Sequence, residues 1–87
     1  MKLSEIAAVL GIELQGDGNA ECLGIREPQV AGPSDLAFID KGRRFDVESL
    51  KALALIVARD SGIDYPNLLL ADKPRLAFCR ALELFHP

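Results

Sequence analysis

Two uninterrupted apolar runs constrain this chain more than any other feature: Leu53-Ala54-Leu55-Ile56-Val57-Ala58, and then Leu68-Leu69-Leu70-Ala71 beyond Ser61-Gly62 and Pro66. A strand with one wet face alternates apolar with polar residues, whereas an unbroken run of this length reads as a strand buried on both faces. Such strands need covering layers on each side. The helical patterns flanking the runs predict those layers: an α/β (α+β) fold, a small mixed β-sheet covered by about three helices. A chain of 87 residues has room for one such domain, spanning 1–87, with a modest core.

The other elements follow from spacing and from turn residues. Leu3, Ile6, Ala7 and Leu10 recur at helical intervals, with Ser4 as the expected N-cap and Gly11 as the left-handed C-cap. Ile12-Glu13-Leu14-Gln15 and Ala20-Glu21-Cys22-Leu23 alternate around Gly16-Asp17-Gly18-Asn19, which predicts two strands joined as a hairpin. Pro28, Gly32 and Pro33 make residues 26–34 an irregular connection, followed by a short strand, Leu36-Ala37-Phe38-Ile39. Val47, Leu50 and Leu53 mark a further helix, with Asp46 at its positive end. Pro74 opens the last helix, where its missing N–H costs little, and Phe78, Ala81, Leu82 and Phe85 share one face.

The chemical inventory is short. The single histidine, His86, lies one residue from the end, where a general base would lack fixed geometry. No Ser/His/Asp set can be assembled, the carboxylates are scattered, and the two cysteines, Cys22 and Cys79, have no metal-ligand spacing. No catalytic residue, metal or cofactor is therefore assigned. Both thiols are expected to be reduced and packed as small hydrophobes. A net charge of −3 gives no general attraction for nucleic acid, and no apolar run reaches the roughly 18 residues needed to span a bilayer. The opening residues, Met1-Lys2-Leu3-Ser4-Glu5, lack the apolar core of a secretory signal, so a cytoplasmic location is expected.

One segment departs from this plainness. Phe38 and Phe45 flank a loop in which Lys41, Arg43 and Arg44 place three of the ten cationic residues within four positions. Aromatic rings stack on heterocyclic bases, and guanidinium groups bind phosphate oxygens in bidentate fashion. The pattern therefore suits a nucleotide. It equally describes a core phenylalanine, a helix staple and a solvated turn.

Four stretches in register carry a resemblance. They are Met1-Lys2-Leu3-Ser4-Glu5-Ile6-Ala7, Gly16-Asp17-Gly18, Ala31-Gly32-Pro33-Ser34-Asp35-Leu36-Ala37-Phe38, and Lys73-Pro74-Arg75-Leu76-Ala77-Phe78 with Leu82-Glu83-Leu84-Phe85-His86-Pro87. Over its whole length the chain resembles the N-terminal domain of the bacterial UDP-3-O-acylglucosamine N-acyltransferases of lipid A biosynthesis. The resemblance implies a uridine-binding domain that precedes a left-handed parallel β-helix. In that family the β-helix carries the catalytic histidine and the acyl-carrier-protein contacts, and packs as a trimer. By this resemblance the present chain holds the substrate-recognition part alone. It would bind a UDP-acylglucosamine-type molecule, meet acyl carrier protein only through the absent catalytic domain, and be monomeric by itself and trimeric at full length. Phe38 matches the aromatic that stacks on uracil from one side. The family's Asn-Pro-Lys-Tyr loop is replaced by Lys41-Gly42-Arg43-Arg44, which leaves Phe45 or the guanidinium of Arg44 for the other side and Lys41 and Arg43 toward the diphosphate.

Two alternatives stay open. Lys41-Gly42-Arg43-Arg44-Phe45-Asp46 also resembles a stretch in the N-terminal domain of the Mur ligases, another UDP-sugar-binding module of similar expected fold. However, Arg26-Glu27-Pro28 stands where those ligases carry Asp-Ser-Arg, and no P-loop occurs. The lost tyrosine motivates the other alternative, an interaction or structural module whose nucleotide pocket has decayed.

Overall fold

The computed structural model describes residues 1–40 and 46–86. The element order is α1 (Leu3–Leu10), β1 (Glu13–Gln15), β2 (Gly24–Ile25), β3 (Asp35–Phe38), a 3₁₀ turn (Val47–Ser49), β4 (Ala54–Ala58), β5 (Leu68–Ala71) and α2 (Pro74–Phe85). The strands form one five-stranded sheet in the order β1-β5-β4-β3-β2. Strands β2 to β5 are parallel, and β1 closes the β5 edge antiparallel, with Leu14 opposite Leu69. The expected mixed sheet is present.

Both apolar runs lie where their composition requires. Every residue of β4 is buried, as are Leu68, Leu69 and Ala71 of β5. Successive side chains then serve opposite faces. Leu36, Ala54, Ile56, Leu69 and Ala71 face α1 and α2, joined by Leu3, Ile6, Ala77 and Ala81. Ala37, Ile39, Leu55, Val57 and Leu68 face the other way, under Ala31, Val47, Leu50, Ala52, Ile63 and Tyr65. The division follows from topology. Right-handed crossovers that all step in one direction across a sheet lie on one face. The connections from β2 through β5 occupy that face, so the first and last elements cover the second.

The hairpin expected at Gly16–Asn19 does not form between its two flanks. β1 pairs with β5 instead, and the residues after the turn run back along the start of α1. Leu3 N–H donates to the Ala20 carbonyl and Ser4 N–H to that of Gly18, both at 3.0 Å, while Cys22 N–H donates to the Met1 carbonyl at 2.8 Å. The first-turn N–H groups of a helix have no intrahelical acceptor, and the returning segment supplies one to each of two. The turn is held by Asn67, whose Oδ1 accepts from Asp17 N–H at 2.8 Å and whose Nδ2 donates to the Leu53 carbonyl at 3.0 Å.

Three smaller expectations are corrected. The cap of α1 is Lys2, whose N–H donates to the Glu5 carboxylate at 2.9 Å, and Ser4 lies inside the first turn. Gly11 does end this helix, at φ 67°. The third helix is one 3₁₀ turn, because Leu53 is drawn into the sheet by donating to the Asp35 carbonyl at 2.9 Å, and the Ser49 hydroxyl bonds back to the Asp46 carbonyl at 2.7 Å. Cys22 is buried as expected, but Cys79 is exposed on the outer side of α2.

Candidate functional site

Phe38 is the last residue of β3, at the carboxyl edge of the parallel strands, where open α/β sheets characteristically bind ligands. Its side chain points to the helix-covered face and is half-buried. There it meets Phe78 from the second turn of α2, with ring centroids 4.3 Å apart and planes inclined by 31°. Two residues on, the half-buried carboxylate of Asp40 accepts from the exposed Arg75 guanidinium at 2.5 Å. α2 begins directly beyond β5, so its first turns stand against this edge and bring Phe78 and Arg75 to the end of β3. Lys41, Arg43, Arg44 and Phe45, with Gly42, lie outside the described residues.

Of the sequence-derived set, the structure therefore locates Phe38 and adds two residues from α2. The signal for them was present in Lys73–Phe78, read from the sequence only as a helix start and a packing face. Farther along the same edge, Arg59 at the end of β4 pairs with Asp72 at 3.0 Å and with Glu13 at 3.3 Å. These are exposed pairs of small energetic worth.

A concavity lies on the opposite face of the sheet from Phe38. It is an open cleft of about 320 Å³ lined by Val47, Glu48, Leu50, Asp64, Tyr65 and Pro66. The Tyr65 hydroxyl donates into the wall, to the Ala52 carbonyl at 2.6 Å, and burial pushes this phenol above its ordinary value. Burial likewise raises the Cys22 thiol, which donates to the Gly24 carbonyl at 3.2 Å. Both groups serve the fold. His86 is exposed at the end of α2, and among the described residues no cluster of three His, Cys, Asp or Glu side chains could hold a metal.

A mixed sheet closed on one face by its first and last helices, with an aromatic at the strand ends, defines a small α/β domain. No family model matches the chain. It is 39% identical over 88 residues to "UDP-3-O-acylglucosamine N-acyltransferase 3" of Gloeobacter violaceus, covering 99% of this chain and 25% of that protein. It is 38% identical over 90 residues to UDP-3-O-acylglucosamine N-acyltransferase of Pseudomonas fluorescens, covering all of this chain and 25% of the relative. For the enzyme of that name from Nitratidesulfovibrio vulgaris the figures are 35% over 85 residues, 97% and 24%. The chain spans about a quarter of the length of the curated relatives it matches. By sequence it is homologous, from end to end, to a fragment of the UDP-3-O-acylglucosamine N-acyltransferases.

Proposed function

We propose that this chain is the substrate-recognition domain of an N-acyltransferase acting on UDP-3-O-acylglucosamine in lipid A biosynthesis. It binds the uridine moiety and leaves acyl transfer, and acyl carrier protein, to a catalytic domain outside these residues. The observation that carries the reading is the whole-length match to enzymes whose names specify a UDP-linked acylglucosamine. Phe38 supplies the mechanism. A ring at the carboxyl edge of the sheet, followed in sequence by Lys41, Arg43 and Arg44, offers stacking to uracil and charge to the diphosphate. Phe45 or Arg44 closes the other side of the base. The chain's action on a nucleotide substrate is placed in the cytoplasm; among the described residues no helix is long and apolar enough to cross a membrane. Within the longer enzyme the domain is one of three around a trimeric β-helix.

Titrating UDP into the ¹⁵N-labelled chain tests the reading. Amide shifts confined to residues 38–46 and the start of α2 at millimolar UDP are expected, and their absence refutes it. One observation favours a second reading, an interaction module with a decayed pocket: Phe78 already covers one face of Phe38. Under that reading Phe38→Ala lowers stability by about 3–5 kcal/mol, as for a packed core ring, and changes no ligand affinity. Under the first, the same substitution abolishes UDP binding at a smaller cost in stability.

A further inference from the structure

We infer that Phe78 and Arg75 of α2 are positioning residues of the nucleotide site, an inference that rests on the uridine-binding reading above. A stacking ring is useful only if it stands still, because every torsion frozen on binding subtracts from affinity. Phe38 is the last residue of its strand, and its ring is only half-buried at the edge of the sheet. The Phe78 ring, 4.3 Å away and inclined by 31°, supports it from behind. With one face of Phe38 covered by Phe78, a heterocycle can stack only on the other. The site then becomes a tier in which an α2 ring backs the Phe38 ring and the Phe38 ring backs the base.

Arg75 acts on the adjoining segment. Its guanidinium holds the carboxylate of Asp40, the residue immediately before Lys41, Arg43 and Arg44. Residues 75 and 78 are three apart on one helix, so they project from the same side of α2. The helix therefore grips two successive points, the ring at 38 and the carboxylate at 40. Any displacement of α2 moves both. The stacking ring and the residue that leads into the cationic stretch of the sequence are in this way registered against one rigid element.

The test is UDP affinity by NMR titration of the 87-residue chain, each variant measured well below its own melting temperature. Phe78→Leu keeps an apolar side chain but removes the backing ring, and should weaken UDP binding about three- to tenfold, the range of an aromatic pair. Phe78→Tyr should restore it. Arg75→Gln should weaken binding about two- to fivefold, the range of an exposed ion pair, with Arg75→Lys recovering most of the loss. Val57→Ala, which loosens the opposite face, should lower the melting temperature and leave affinity unchanged. If the unsubstituted chain binds UDP and Phe78→Leu and Arg75→Gln bind it equally well, the positioning role is overturned while the function stands. If the unsubstituted chain gives no UDP-dependent shifts, both are overturned. Weakening by Val57→Ala as large as that by Phe78→Leu also overturns it, because general loosening would then explain the effect.

Discussion

Substituting alanine for Gly16 probes how the edge strand β1 is held to the sheet. Gly16 has φ +129°, and a Cβ placed there would lie 2.2 Å from Asn67 Oδ1, 2.6 Å from the Pro66 carbonyl oxygen and 2.9 Å from Asn67 Cα. Backbone strain in this nearly glycine-only region costs about 1–3 kcal/mol. Moving the Asn67 side chain aside also loses its bonds to Asp17 N–H and to the Leu53 carbonyl, about 0.5–1.5 kcal/mol each. A loss near 3 kcal/mol, at about 4–8 °C per kcal/mol for a domain of this size, lowers the melting temperature by roughly 12–24 °C. Thermal unfolding followed by circular dichroism measures it. Asn67→Ala should not rescue Gly16→Ala, since two of the three close atoms belong to the backbone. The double variant should nevertheless lose less than the sum of the singles, because both delete the same two bonds. A fall of less than about 4 °C for Gly16→Ala would refute the argument, for the loop would then relax at almost no cost.

Other outcomes follow from burial and from the two raised acids. With a thiol-specific chromogen, the folded chain should expose one reactive cysteine, Cys79, and the denatured chain two, because Cys22 is fully buried. Folding stability should fall as pH rises past the ordinary thiol value of 9.0 and again past the phenol's 10.0. Cys22 and Tyr65 keep their protons in the folded state after the unfolded chain has released its own, so their contribution is complete below those values and is lost above them. Urea unfolding at stepped pH measures the decline, and Cys22→Ala should remove its earlier limb. Ala81→Leu, at a position with no exposed surface between α2 and the sheet, should cost about 1–3 kcal/mol by overpacking, read from the urea midpoint.

The two central strands were legible because burial on both faces leaves an unbroken apolar run, and β4 and β5 coincide with those runs. α2 was legible from Pro74 and from the spacing of its apolar residues. The supposed hairpin shows where such signals stop. Alternation in Glu13–Gln15 reports that Leu14 faces inward and its neighbours face water, but it does not name the partner, which is β5, far along the chain. Helix geometry could have placed Cys79 correctly. At 3.6 residues per turn, a position midway between the buried Ala77 and Ala81 projects from the opposite side. Phe38 was identifiable as an aromatic beside a cationic loop, whereas its contact with Phe78 depends on how α2 lies across the sheet. No local pattern encodes that.

The one-sided winding of the sheet has a consequence for biosynthesis. Once Ala71 has left the ribosome, all five strands exist, yet Leu36, Ile56 and Leu69 still look out onto solvent on the uncovered side. Among the described residues, the twelve of α2 cover that surface together with α1. A nascent chain stalled short of Pro74 is therefore a sticky, half-roofed intermediate, a natural client for chaperones and proteases, and synthesis of α2 removes that liability by covering the exposed side.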